Sequence, residues 1–333
     1  MWIVIRTNRE QDMAELREIA SGLRFPEGPI AMPDGSVILV EIEAGRLTRI
    51  APDGTKQTVA EPGGGPNGAA IGPDGKCYVC NNGGFNWHEA DGILRPVSQA
   101  DDYSGGQIEK IDLDTGAVEV LYSQCGDNRL NGPNDIVFDG DGGFWFTDLG
   151  KARARDMDRG AVYYARTDGS LIVEVAFPLV TPNGIGLSLD DKILYVAETE
   201  TSRLWRYDVL GPGKLSRAEW PNTNGGILVA GMAGYQRFDS LALDCAGNIC
   251  VGTLIEVFPD ARFIHVARDG RAVANSMVNV SWWDGTMDSW WWGDMDAADQ
   301  AVLESCRHEP AVLAGVIWKT LMDYIADARA SLP

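Results

Sequence analysis

Residues 132–148 read GPNDIVFDGDGGFWFTD. An Asn-Asp pair follows Gly-Pro. A short apolar run, a glycine-rich turn and a second run ending in Thr-Asp come after it. Asp-Gly turns between runs of β-branched and aromatic residues signal a hairpin, and this frame recurs. The runs SVILVE (36–41), KCYVCN (76–81), GFWFTD (143–148), KILYVAE (192–198) and NICVGT (248–253) each follow an Asp-Gly, Asp-Asp or Ala-Gly turn. A further strand and turn follow in GRLTRIAPDG (45–54), GQIEKIDLDTG (106–116), GAVYYARTDG (160–169), SRLWRYDV (202–209) and FIHVARDG (263–270). Short strands repeating every roughly 40–55 residues predict an all-β fold, a β-propeller.

Aligning the repeats on the first turn brings one position into register. Seven residues before Asp34, Asp74, Asp141, Asp190 and Ala246 stand Glu27, Asn67, Asn134, Asn183 and Asp239. Proline precedes the first four, and Gly, Asp or Ser follows all five. The residues between read as the innermost strand of each blade, so the shared position falls where that strand begins, at one mouth of a central channel. A lone Asn here would read as a turn residue bonding its own backbone. Glu in one repeat and Asp in another, with carboxamides between, read instead as a ring of oxygen donors around a cation.

Carboxylate and amide oxygens suit hard divalent cations; calcium is favoured, and magnesium, manganese or zinc would also fit. Such an ion would polarise a carbonyl and activate water, with a carboxylate, Asp239, as general base. The three histidines accompany no nucleophile-elbow sequence, and no phosphate-cradling glycine motif occurs. His88 lies in NNGGFNWHEADGILRP (81–96), an insertion placed to overhang the channel mouth.

The formal net charge of -20 disfavours nucleic acid and anionic membranes, and no apolar run approaches a membrane span. The six cysteines lack zinc-site spacing, and Cys77 and Cys80 in a strand read as reduced structural thiols. A cytoplasmic protein acting on a small molecule is expected, with Met13 a second candidate start.

The motifs FPEGP, PNGAAIGPDG, LNGPNDIVFD, TPNGIGLS and DSLALD, in this order over about residues 20–254, resemble the gluconolactonase / regucalcin (senescence marker protein) family. The resemblance implies six blades and a metal-dependent lactonase that opens a sugar lactone or similar cyclic ester by attack of metal-associated water. It implies Glu27, Asn183 and Asp239 as metal ligands, with Asp239 also the acid/base. Asn134 corresponds to a substrate or secondary metal contact; Asn67 and His88 are further candidate substrate contacts. Organophosphate ester hydrolysis at the same metal, and a calcium-binding propeller without turnover, are the alternatives. Some members of that family carry an arginine two residues before the equivalent of Asn134; this chain has Gly132.

The pattern dissolves beyond about residue 254, as a reading-frame change or recent divergence would cause. SWWDGTMDSWWWGD is followed by a helical stripe of Leu313, Ile317, Leu321 and Ile325. The expected organisation is therefore an extension over 1–12, a propeller over 13–275 and an atypical, partly helical segment over 276–333. That segment either closes the last blade or leaves it incomplete.

Overall fold

The computed structural model describes residues 18–90, 93–220, 222–231, 237–243 and 249–250. The expectations for 1–12, for the run FIHVARDG and for the tail lie outside these residues. Ile19–Ala90 and Leu94–Gly252 form one compact unit. Every regular element among the described residues is a β-strand, which bears out the all-β reading. Among the described residues no helix is long and apolar enough to cross a membrane.

The first sheet is β1 (Pro26–Ala31), β2 (Val37–Glu41), β3 (Arg46–Ile50) and β4 (Lys56–Ala60), paired antiparallel in that order. The second begins with β5 (Pro66–Ile71) and β6 (Cys77–Asn81). The chain then leaves as a separate hairpin, β7 (Phe85–Ala90) and β8 (Ile93–Gln99), and returns through β9 (Gln107–Ile111) and β10 (Val118–Tyr122). A two-residue ribbon, β11 (Gln124–Cys125) with β12 (Asn128–Arg129), leads to the third sheet. That sheet holds β13 (Pro133–Phe138), β14 (Gly143–Asp148), β15 (Gly160–Arg166) and β16 (Ile172–Leu179). The fourth holds β17 (Pro182–Leu187), β18 (Ile193–Glu198) and β19 (Arg203–Gly211), with β20 (Lys214–Leu215) and β21 (Ile227–Gly231) both paired to β19. A last pair is β22 (Ala242–Leu243) and β23 (Ile249–Cys250).

The core lies between successive sheets. Ile38, Val40 and Leu47 of the first meet Cys77, Val79 and Ile111 of the second. Tyr78, Cys80 and Ile108 meet Phe144, Phe146 and Tyr163 of the third. Trp145, Val162 and Tyr164 meet Leu194, Val196 and Tyr207 of the fourth. Strand alternation therefore sends Cys77 and Cys80 into different layers. Both thiols are free and fully buried, and burial pushes Cys77 up to about 12. β2 (VILVE) is buried at every residue, and each such aliphatic contributes roughly 1.5–3 kcal/mol. The outer strands carry no such pattern: β4 and β10 are largely exposed, which is why their sequences do not announce them.

The first strands lie side by side in the order β1, β5, β13, β17, β22, confirming them as the strands that face one another. The two ends of the sheets differ. At one end, Asp34, Asp53, Asp74, Asp139, Asp168 and Asp190 each accept a hydrogen bond from a backbone N–H two residues on, making tight turns. At the other end the chain makes its long excursions: residues 82–106, with the β7–β8 hairpin, and residues 149–159.

Candidate functional site

Glu27, Asn67, Asn134 and Asn183 are the second residues of β1, β5, β13 and β17, all at the excursion end. Each sits in the same backbone irregularity. The register advances three residues on the first strand against two on its partner, between Glu27 and Ile30, Pro66 and Ala69, Pro133 and Ile136, and Pro182 and Ile185. One extra residue per strand is a β-bulge, a device that re-aims a side chain.

A second set of residues fixes these bulges. The proline starting each first strand pairs with Glu41, Asn81, Asp148 and Glu198, the last residues of β2, β6, β14 and β18. All four are buried polar groups. Their oxygens accept backbone N–H groups one or two residues ahead of that proline: Arg24 N on Glu41 (2.6 Å), Gly65 N on Asn81 (2.8 Å), and Val180 N on Glu198 (2.7 Å). Asp148 takes both Asn131 N and Gly132 N at 2.7 Å. Burial pushes the Glu41 carboxyl up, but Arg46, Thr48 and the Arg24 N–H outweigh it and hold it below its ordinary value. The sequence signal for this set was the polar last letter of SVILVE, KCYVCN, GFWFTD and KILYVAE.

Neighbouring bulges touch through backbone. A Cβ on Gly28 would lie 2.8 Å from Asn67 O, one on Gly68 2.4 Å from Asn134 O, and one on Gly184 2.7 Å from Asp239 O. Gly184 N also donates to Asp239 O at 3.3 Å. With β13 also beside β17, the five positions aligned in the sequence follow one another in space.

Their electrostatics are those of crowded carboxylates. Burial pushes Glu27 up to about 8, with Asp239 and then Asp135 adding to the rise. Burial pushes Asp135 up to about 7, and Asp239 adds to it against the Ile136 and Ile185 N–H groups. Glu27 and Asp135 are deeply enclosed yet keep part of their surface accessible, as residues lining a recess do. Asp239 is exposed, while Asn134 and Asn183 are buried. No hydrogen bond to a described residue engages the carboxamides of Asn67, Asn134 or Asn183. The carboxamides of Asn81, Asn82, Asn86 and Asn222, by contrast, are all bonded. The turn-residue alternative does not describe the three ring asparagines.

This donor set fits a hard divalent cation: two carboxylates that repel each other, and unengaged amide oxygens beside them. Among the described residues His, Cys, Asp and Glu nowhere gather in a group of three able to hold a metal, so amide oxygens would have to complete the shell.

Beside Glu27, Phe25 meets Trp87 in a tilted pair at 5.0 Å, and Trp87 meets Phe85 at 5.9 Å. Arg24 bonds Glu89 at 2.9 Å and Glu43 at 2.6 Å, fastening β7 beside β1. His88 is exposed, and alternation puts it on the opposite face of β7 from Phe85 and Trp87. Lys151 was not singled out by its sequence. Its buried ammonium donates to Asn82 Oδ1 (3.2 Å) and Gly84 O (3.1 Å) and lies over the Phe85 and Tyr103 rings. Burial pushes it down to about 8. A Cβ on Gly132 would lie 2.4 Å from Gly150 O, so no side chain fits at this position.

The profile of one protein family, the SMP-30/Gluconolactonase/LRE-like region, matches residues 25–287. The chain belongs to this family. Among curated members, lactonase drp35 of Staphylococcus haemolyticus is 30% identical over 227 residues, covering 68% of this chain and 62% of that protein. The gluconolactonase of Zymomonas mobilis is 27% identical over 257 residues, 69% of this chain and 65% of its own. The chain thus spans less than two thirds of the length of these SMP-30/gluconolactonase relatives. A solved gluconolactonase structure from Xanthomonas campestris superposes with a TM-score of 0.54 at 21% identity, over 70% of this chain and 71% of that one, which shows a shared fold.

Proposed function

We propose that the protein is a six-bladed β-propeller that hydrolyses a lactone, a sugar lactone or similar cyclic ester, with one divalent cation, calcium favoured, held by Glu27, Asn183 and Asp239. Blades beyond the fourth would draw on residues after 237. The observation that carries the reading is the succession of Glu27, Asn67, Asn134, Asn183 and Asp239 along neighbouring first strands, with Glu27 raised by burial and then by the charges of Asp239 and Asp135. Buried, free thiols at Cys77 and Cys80 support a reducing, cytoplasmic setting.

When bound, a divalent cation supplies Lewis-acid polarisation of the lactone carbonyl. Asp239, exposed at the excursion end, accepts a proton from the water that attacks the carbonyl carbon. It returns that proton to the ring oxygen as the acyl C–O bond breaks, leaving a hydroxy acid. The Asn134 carboxamide donates to a substrate oxygen; Asn67 and His88 are outer contacts.

The test is a hydrolysis assay on lactones and phosphotriesters with calcium, magnesium, manganese or zinc. Lactone turnover should vanish with chelator, and Asp239→Ala should lose it with cation restored. Turnover that survives either treatment sinks this mechanism. Phosphotriester turnover alone would assign the site to that substrate class, and cation binding without turnover would make it a binding protein.

A further inference from the structure

At three of the four junctures between successive first strands a glycine lies against the neighbouring backbone. Gly28, Gly68 and Gly184 serve the β1–β5, β5–β13 and β17–β22 junctures. At the β13–β17 juncture the corresponding residue is Asp135. A second change accompanies it. The residue before the buried acceptor is Val40, Cys80 and Ala197 in the other sheets but Thr147 here.

The two residues act together on the backbone of one bulge, at two successive peptides. Thr147 Oγ1 donates to Asn183 O at 2.6 Å and accepts from Asp135 N at 3.1 Å. Asp135 Oδ2 accepts from Ile185 N at 3.3 Å, and its Oδ1 accepts from Ile136 N at 2.9 Å. Gly184 N donates to Asp239 O. The backbone carbonyl of Asn183 and the N–H groups of Gly184 and Ile185 are therefore each engaged by a residue outside their own sheet. A bulge takes these groups out of the regular ladder, and here neighbouring repeats satisfy them. Thr147 is fully buried, so water does not compete for the bond.

We propose that Asp135 and Thr147 are positioning residues that bracket the Asn183 bulge and so pre-aim its carboxamide at the cation. This rests on the reading of Asn183 as a ligand. Holding the backbone on both sides of the bulge fixes the Cα–Cβ direction of Asn183, and supporting groups of this kind tune affinity by about 10–100-fold. Among the described residues the Asn67 and Asn134 bulges have no such bracket, because Gly28 and Val40, and Gly68 and Cys80, stand at the equivalent places.

The experiment titrates calcium, and separately manganese, into chelator-stripped full-length protein by calorimetry. Thr147→Val removes the hydroxyl at constant shape. Thr147→Cys is the milder variant, since Cys80 already occupies the equivalent place in the second sheet. Thr147→Ser restores the donor. Affinity should fall about tenfold or more in Thr147→Val and Thr147→Cys and recover in Thr147→Ser. Amide exchange should quicken at Asn183–Ile185 in the first two variants alone. Equal affinity in wild type and all three variants overturns the bracket while leaving the cation site standing. Wild-type protein that binds neither ion overturns the ligand reading on which the bracket rests.

Discussion

Gly68 is pressed against Asn134: a single methyl on Gly68 would sit 2.4 Å from the Asn134 carbonyl oxygen and 2.6 Å from the Cα of Asp135. Both atoms belong to the backbone of the neighbouring first strand, so nothing can swing aside. Gly68→Ala should therefore cost about 2 kcal/mol or more and displace the Asn134 bulge. Gly75→Ala is the comparison, because its Cβ would meet open space and only its φ of +75° is unfavourable. That variant should cost about 1 kcal/mol. Urea denaturation of the two side by side measures the difference.

Glu27→Gln should move two properties in opposite directions. Without cation, burial and then the charges of Asp239 and Asp135 disfavour the ionised form of Glu27, and a neutral isostere relieves that cost by on the order of 1 kcal/mol. With calcium present, losing one of two ligand carboxylates should weaken binding by tenfold or more. Thermal unfolding with chelator and with excess calcium should show the variant melting above wild type in the first case and below it in the second. Parallel shifts in both conditions would place Glu27 outside the cation site.

The pH dependence of Lys151 has a definite sign. Its ordinary value of 10.5 is pushed down to about 8 by burial. Between about pH 8 and 10.5 the unfolded chain then binds more protons than the folded one, so stability rises with pH across that window. The gain should be about 3 kcal/mol relative to Lys151→Met. Chemical denaturation of both proteins at pH 7.5, 9 and 10.5 reads it directly; a constant difference would mean the ammonium is solvated.

Asp148→Ala leaves the N–H groups of Asn131, Gly132 and Gly150 without their acceptor. A loss of about 3 kcal/mol is expected. Asp168 makes a comparable backbone bond to Ser170 N in an exposed turn, where water replaces it. Asp168→Ala should shift the unfolding midpoint far less, as equilibrium unfolding of the pair will show.

The inner strands and the succession of aligned positions could be read from the sequence because they obey strong rules. Full burial demands runs such as VILVE, and an Asp-Gly turn fixes where each run starts, so counting back seven residues lands on Glu27, Asn67, Asn134, Asn183 and Asp239. Outer strands such as β4 escape that logic: one face is solvated, and KQTVA satisfies it as well as many other sequences would. The β7–β8 hairpin was legible only as an insertion, since its pose depends on Arg24, Phe25 and Lys151, which lie far from it in the chain. Asp135 and Thr147 were in plain view in the stretch 132–148, but their roles depend on Asn183 and Ile185, which belong to the following repeat. A contact between repeats leaves no periodic trace within either one.

Each of the four larger sheets among the described residues carries its own acceptor, Glu41, Asn81, Asp148 or Glu198, for the loop that delivers its own bulged residue. Copying one such unit along a gene would therefore copy an oxygen donor together with the fixture that aims it. A circle of donors could grow by duplication alone, and later exchange of Asn for Glu or Asp at a single letter would set its charge.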